Sequence, residues 1–310
     1  MMKPILRIGT RGSALAKWQA NHVKELILSN SPDLKATVEI IKTTGDKNIS
    51  SNLAEFGGKG VFVKEIEEAL LSNTIDIAVH SMKDMPTQIP DGLCIGGVIE
   101  RHDPRDVLIS NGNYMINELR KGAILGTGSL RRKSQILREY PHLKVSSIRG
   151  NVDTRVKKLK SGEYDCIVVA KAGIDRMGMS EVITEILGVD VMIPAPCQGI
   201  ICIESRVEDK ELLDVLDGIS HGDTAIEAFI ERDFLRHISG DCNVPAGCYS
   251  NLDKNGSIKV VAFIASEDGK NYISEEISGL RDDFRTLGSK LADTILKNGG
   301  SRVLEEINKN

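Results

Sequence analysis

Three short segments combine glycine, serine or threonine with arginine in a way that suits an anionic ligand. They are Gly9-Thr10-Arg11-Gly12-Ser13, Gly126-Thr127-Gly128-Ser129-Leu130-Arg131-Arg132 and Ile148-Arg149-Gly150-Asn151-Val152-Asp153-Thr154-Arg155. Glycine lets the backbone turn tightly, N–H groups at a helix start favour negative charge, and arginine offers two parallel donors to a carboxylate or phosphate. Serine and glycine also cap helices that bind nothing, so one such segment decides little. Two of one chemistry, in two lobes, point to an anion held between them, and several arginines suit a ligand with several carboxylates or phosphates.

A fourth segment, Ile77-Ala78-Val79-His80-Ser81-Met82-Lys83-Asp84-Met85-Pro86, brings a hydroxyl, a cation and a carboxylate together just past an apolar run. Asp84 reads either as a loop carboxylate salt-bridged to Lys83 or as an acid/base group facing the anion site. His80 reads as a satisfied strand-end histidine. The loop Ser239-Gly240-Asp241-Cys242-Asn243-Val244-Pro245-Ala246-Gly247-Cys248 offers an accessible thiol at Cys242, although most cysteines in cytosolic proteins serve as small hydrophobes.

Elements of alternating type must position these corners. Ile- and Val-rich runs bounded by glycine predict strands over 5–9, 38–41, 75–79, 124–126, 145–148 and 167–170, with helices over 13–28 and 61–71 between them. This βαβ alternation predicts parallel sheets, whose ligands lie beyond the carboxyl ends of the strands. Pro86, Pro90 and the run 100–106 mark an exit from one domain, and Pro194-Ala195-Pro196 a return. The expected organisation is a discontinuous first α/β lobe (1–99 and 198–218), an inserted second lobe (100–197) and a C-terminal α+β domain (219–310). Within that tail a helix is expected over 224–236, strands near 259–265 and 271–277, and an amphipathic helix over 282–297.

With 310 residues, 41% of them hydrophobic, the chain can bury full cores without staples. The six cysteines form no Cys-x-x-Cys pair and sit near no histidine in a zinc-ligand spacing, so neither a disulfide framework nor a metal is expected. A net charge of -4 disfavours a nucleic-acid partner. No apolar run approaches the roughly 18 to 20 residues that span a bilayer, and the start has no signal-peptide core. The expectation is a cytoplasmic monomer with no membrane partner. Residues 120–176 nevertheless hold fourteen Lys/Arg against five Asp/Glu, an excess of +9 that the remaining chain offsets with -13. Lys157, Lys158 and Lys160 read as a solvated helix face, whereas Arg131, Arg132, Arg149 and Arg155 gather at corners.

On residues alone, an enzyme and a non-catalytic two-lobed binding module for a small anion both remain open. Seven stretches, in order, decide further: Thr10-Arg11-Gly12-Ser13-Ala14-Leu15-Ala16, Gly57-Gly58-Lys59-Gly60-Val61-Phe62, His80-Ser81-Met82-Lys83-Asp84, Asp103-Pro104-Arg105-Asp106, Ser129-Leu130-Arg131-Arg132, Arg149-Gly150-Asn151-Val152-Asp153-Thr154-Arg155 and Cys242-Asn243-Val244-Pro245. Together they resemble the porphobilinogen deaminase (hydroxymethylbilane synthase) family over nearly the whole chain.

The resemblance implies two lobes like those of periplasmic binding proteins and a smaller third domain whose cysteine holds a dipyrromethane cofactor through a thioether. Four porphobilinogen units are added to it with loss of ammonia, and the linear tetrapyrrole is then hydrolysed off. It implies attachment at Cys242, catalysis by Asp84, and cofactor binding by Ser81, Lys83, Asp84, Thr127, Ser129, Arg131, Arg132, Arg149, Gly150 and Arg155. Substrate-binding positions it implies are Arg11, Ser13, Gln19, Lys59, Phe62, Arg149, Arg155, Arg176 and Gln198. This chain departs from the family pattern at Asp241 and Asn243 beside the thiol, at Ala246, and at Cys197, where glycine is usual. An added carboxylate at Asp241 tends to raise the thiol pKa, and Cys248 offers a second thiol six residues on.

Overall fold

The computed structural model describes residues 5–43, 63–238 and 244–309. Lys59, Phe62, Asp241, Cys242 and Asn243 lie outside the described residues. In chain order, β1 (Leu6–Thr10) leads into α1 (Ala14–Asn30), then β2 (Ala36–Ile40), α2 (Lys64–Leu71), β3 (Ile77–Ser81), a tight 3-10 turn over Met82–Asp84 and β4 (Leu93–Val98). Next come β5 (Asp106–Ser110), β6 (Ile124–Gly126), α3 (Leu130–Glu139), β7 (Lys144–Ser146), α4 (Val152–Lys160), β8 (Cys166–Ala170), α5 (Lys171–Arg176) and the short β9 (Glu185–Ile186). The chain returns in β10 (Ile201–Arg206) and α6 (Lys210–Asp217). It finishes with α7 (Gly222–His237), β11 (Ala246–Leu252), β12 (Ser257–Ala265), β13 (Tyr272–Leu280), α8 (Phe284–Ile295) and α9 (Ser301–Asn308).

These strands form two five-stranded sheets, ordered β2-β1-β3-β10-β4 and β7-β6-β8-β5-β9, and a three-stranded sheet β11-β12-β13. The protein is therefore an α/β chain with two sheet lobes and a smaller C-terminal sheet domain. Contacts group it into two compact units, Met1–His102 with Ile200–Ala225, and Asp103–Gly199 with Ile226–Asn310. The C-terminal sheet thus belongs to the same unit as the second lobe.

Parallel sheets were the expectation, and both large sheets are mixed. In the first, β10 lies antiparallel between β3 and β4; in the second, β5 runs antiparallel to β8 and β9. The cause is the insertion, because a strand that re-enters the sheet from the other end must run in the opposite sense. All six residues of β10 are buried, including Glu204, Ser205 and Arg206, so its sequence lacks the apolar run of a central strand.

In the first lobe, Ser13 caps α1 by accepting from the Ala16 N–H at 3.2 Å, a contact worth about 1 kcal/mol. Ala20, Val23 and Ile27 then recur on one helix face and pack on Ile8, Ile77 and Ile203. The strand β3 begins at Ile77 rather than 75 because Asp76 is an anchor. Its carboxylate accepts from the Arg7 N–H at 2.9 Å and from the Arg7 guanidinium at 2.9 and 3.0 Å. That anchoring sets where the strand ends, and so places Ser81 and the Met82–Asp84 turn at its carboxyl end.

The C-terminal domain closes a core between α7, α8 and the three-stranded sheet, with Phe234, Val260, Ile264, Leu287 and Leu291 buried. The corner that re-enters the first lobe carries Cys197 at φ +62°, 2% exposed, with its backbone N–H donating to the buried Glu231 carboxylate at 2.5 Å. A left-handed backbone costs a non-glycine residue about 1–2 kcal/mol, and more when the side chain is β-branched. Cys197→Gly should therefore leave the urea midpoint unchanged or raise it, and Cys197→Val should lower stability by about 2–3 kcal/mol. Equal effects of the two substitutions would contradict this account of the corner.

Candidate functional site

In the second unit, the corner after β6 is held by backbone and side chain together. The Thr127 N–H donates to Ser146 O at 2.9 Å, the Ser129 N–H donates to the Thr127 hydroxyl at 3.2 Å, and Ser129 caps α3. The first two side chains of the helix interior, Arg131 and Arg132, turn inward and are only 5% and 6% exposed.

Both guanidiniums converge on Asp106, the first residue of β5, which is fully buried. Arg131 Nη2 donates to one carboxylate oxygen at 2.7 Å, and Arg132 donates to the other through Nη2 at 2.7 Å and Nε at 3.1 Å. Gln198 Nε2 adds a fourth donor at 2.9 Å. Burial alone would raise the Asp106 carboxyl, but the two arginines hold it well below the usual carboxylate range. Arg131 Nη1 also donates to Ile193 O at 2.6 Å and Arg132 Nη1 to Val168 O at 3.2 Å. The buried Arg131 Nε has no hydrogen-bond partner among the described residues. Two cations on one anion leave the cluster with a net charge of +1 and a donor to spare.

At the start of α4, Gly150 has φ +112°, and its carbonyl accepts from Arg155 Nε at 2.8 Å. Arg149 is half-buried at the same corner. Arg176, at the end of α5, is 9% exposed and donates to Gly199 O at 2.7 Å; burial lowers its guanidinium to about 10. Gln198 is buried and also bonds Pro104 O at 2.7 Å. Arg131, Arg132 and Gln198 thus meet at Asp106, and Arg149, Gly150 and Arg155 gather at the start of α4; of the expected solvated face, Lys157 and Lys160 are exposed and Lys158 is half-buried.

In the first unit, the corner after β1 carries Arg11, half-buried, and the cap residue Ser13. Gln19 on α1 is 2% exposed and fixes the Ser81 hydroxyl at the end of β3, donating to it at 2.9 Å. His80 Nε2 lies 3.2 Å from the carboxylate of the fully buried Glu204 on β10, which makes it a strand-end histidine held in the interior. Burial and the nearby Glu204 lift Glu67 on α2 to about 7. Asp84, by contrast, ends the 3-10 turn exposed, and its carboxylate makes no ion pair with Lys83 among the described residues. The salt-bridged loop pair is therefore not formed.

Four of the five described cysteines are buried, and Cys94 is half-buried. Cys248 is fully buried in β11, Cys197 is 2% exposed, and burial pushes the Cys166 thiol up to about 12. Reasoning from sequence missed Asp106, the residue that organises the second unit. Its signal was present in the local excess of positive charge, which needs a buried counter-ion if any of the arginines fold inward, and in the lone acid that opens the apolar run Asp106-Val107-Leu108-Ile109.

Removing the Asp106 charge leaves two buried cations uncompensated, a loss of about 3–5 kcal/mol for a broken buried pair. Because the folded carboxyl lies below its unfolded value near 4, its contribution is complete above about pH 4 and is lost as pH falls toward the lower folded value. Asp106→Asn should lower the urea midpoint at pH 7 and flatten the acid limb of the stability profile below about pH 4. A variant as stable as the parent at both pH 7 and pH 3 would contradict the placement.

Comparison with known proteins matches two family models in tandem: "Porphobilinogen deaminase, dipyromethane cofactor binding domain" over residues 6–214 and "Porphobilinogen deaminase, C-terminal domain" over 225–297. The porphobilinogen deaminase of Syntrophomonas wolfei is 44% identical over 304 residues, covering 98% of this chain and 99% of that protein. The porphobilinogen deaminase of Geobacter sulfurreducens is 45% identical over 302 residues, covering 97% and 94%. Among solved structures, the substrate binding domain 2 of Lactococcus lactis GlnP, in its open conformation, overlays 71% of this chain and 89% of that one at 12% identity and a TM-score of 0.44. With both family models and full-length relatives well above 30% identity, this chain belongs to the porphobilinogen deaminase family.

Proposed function

We propose that this chain condenses four porphobilinogen units, with loss of ammonia, on a dipyrromethane joined to Cys242 by a thioether, and releases hydroxymethylbilane by hydrolysis. The observation that carries the reading is the corner chemistry: a buried guanidinium cluster of net positive charge at the start of α3, and, at the end of β3, an exposed carboxylate with no ion-pair partner among the described residues. The residues suit a cofactor that bears carboxylates. Arg131 Nε is a buried donor without a partner among the described residues, and such a donor is costly unless a ligand completes it.

When bound, the dipyrromethane supplies the pyrrole carbon to which the first incoming unit is joined. Arg131, Arg132, Arg149, Arg155 and the helix start at Ser129 would bind its acetate and propionate groups, with Thr127, Gly150, Ser81 and Lys83 as further polar positions. Arg11, Ser13 and Arg176 bind the carboxylates of incoming units, with Gln19, Lys59, Phe62 and Gln198 as further substrate positions.

In each addition the bond from the aminomethyl carbon to nitrogen breaks and ammonia leaves. Asp84 faces the carbon left cationic and stabilises it electrostatically. The Asp84 carboxylate would also accept the proton released in each addition. The exposure of Asp84, with no ion pair to Lys83, supports this role, since a carboxylate committed to that lysine would have to break the pair first. We further read the chain as a cytoplasmic monomer acting on small molecules, without a nucleic-acid or membrane partner. Among the described residues no helix is long and apolar enough to cross a membrane.

Two measurements check this. Intact and peptide mass spectrometry of the purified chain should find a two-pyrrole adduct on the peptide containing Cys242; an adduct confined to Cys197 or Cys248, or no adduct, would overturn the attachment and favour a simple anion-binding module. Asp84→Asn should keep the adduct while lowering turnover at least about a hundredfold, the loss typical of an acid/base group. Turnover within a few-fold of the parent would remove Asp84 from the chemistry.

A further inference from the structure

Helix α3 carries Arg131 and Arg132 at its start, and its remaining length is gripped by the C-terminal domain. The turn between β12 and β13, residues 266–271, lies against the helix backbone. Gly269, at φ +72°, approaches so closely that a Cβ there would run into the Ser134 carbonyl oxygen and lie 3.1 Å from the Arg138 nitrogen. On one side of this contact Lys133 pairs with Glu267 at 3.0 Å. On the other, the Arg138 guanidinium sits 3.9 Å from the centre of the Tyr272 ring. Tyr272 stacks on Phe263, with centroids 4.8 Å apart and planes at 15°.

The turn is built to be stiff. The Ser266 hydroxyl donates to Asp268 at 2.6 Å and accepts from the Asn271 N–H at 3.0 Å, while the Lys270 N–H donates to the same Asp268 oxygen at 3.2 Å. These contacts hold the Asp268 carboxyl at about 2. Phe263, below Tyr272, belongs to a small buried cluster with Ile193. The Ile193 carbonyl is the acceptor shared by Arg131 at 2.6 Å and Gln135 at 3.2 Å, and the Ile193 N–H donates back to Gln135 at 2.8 Å. The strand β11 is tied to the same segment, since the Cys248 N–H donates to Pro194 O at 3.2 Å. Two separate routes therefore run from the C-terminal sheet to one helix.

We propose that the 266–271 turn and the Tyr272 ring are positioning elements for the reaction, fixing α3 so that Arg131 and Arg132 stand where cofactor carboxylates are bound. This rests on the reading above that these two arginines hold the cofactor. Neither Gly269 nor Tyr272 touches the ligand in this account; both act through the helix. The physical requirement is that a guanidinium grips a carboxylate well only when its planar fork is already aimed. A helix that can shift or rotate loses that aim without losing its fold.

The test uses the full-length chain and reads the ratio of loaded to unloaded protein by intact mass, with KM and kcat of the loaded fraction. Tyr272→Leu should lower that ratio about fivefold, which is a lost cation–π contact of about 1 kcal/mol at 1.4 kcal/mol per factor of ten. Tyr272→Phe, which keeps the ring under Arg138, should restore it. Gly269→Ala should lower it at least as far. Leu287→Ala, in the C-terminal core away from α3, serves as a control for destabilisation alone and should load normally. Loading lowered equally by Leu287→Ala, or unaffected in both Tyr272→Leu and Gly269→Ala, overturns the proposal. Arg131→Leu separates the two readings: if it loads like the parent, the cofactor-holding role fails and the positioning role falls with it. If Arg131→Leu fails to load while the turn variants load fully, only the positioning role is wrong.

Discussion

A single buried carboxylate organises the second half of this molecule. Asp106 accepts from Arg131, Arg132 and Gln198, and none of these four groups is accessible to more than a trace of solvent. Two guanidiniums on one helical turn cannot be buried without an anion, because each uncompensated charge in the interior costs several kcal/mol. Asp106 supplies that anion from the first residue of a central strand. Its placement goes with β5 running antiparallel to β8, Gln198 returning beside Pro104, and the Ile193 carbonyl accepting from Arg131 Nη1. The sheet and the re-entrant corner meet at one charge cluster. That cluster keeps a net positive charge, which is what a carboxylate ligand needs.

The first lobe uses the same physics with the opposite outcome at Asp84. Several of its interior charges are paired. Asp76 holds Arg7 and lies 3.5 Å from Arg206, Arg206 pairs with Asp209, and Glu204 faces His80. Asp84 alone among the carboxylates at the β3 end is exposed and without an ion pair among the described residues. Asp84 thus stands exposed just beyond a buried strand, where the proposed counter-charge to a cationic reacting centre would use it. Ser81, next to it, is fixed by Gln19, so the turn that carries Asp84 departs from an anchored point.

Much of the architecture was legible because it was written in local pattern. The helix capped by Ser13, the strand over 124–126 and the two hairpin strands of the C-terminal sheet follow from apolar spacing and turn residues. The central strand β10 was not legible, because Glu204 and Arg206 are buried by partners far away in sequence and disguise its apolar alternation. The sense of β10 and β5 was hidden for the same reason, since it depends on where the inserted lobe begins and ends. For the site, the arginine corners were visible as corners, but their burial was not, because the counter-ion Asp106 lies 25 and 26 residues away from its two partners. The role of Cys242 came from its resemblance to a family motif; spacing alone leaves a loop cysteine undistinguished.

The claim on which this account rests is that Asp106 stays ionised and clamped between two arginines throughout the folded state. It is tested directly by following the Asp106 carboxyl carbon by NMR in the folded, carbon-13-labelled chain, assigned by its absence in Asp106→Asn. An acid held below the usual range should show no titration between pH 7 and about pH 3, while exposed aspartates titrate near 4. A midpoint for Asp106 near 4 would show that the carboxylate is not clamped, and the arrangement of α3 built on it would have to be abandoned.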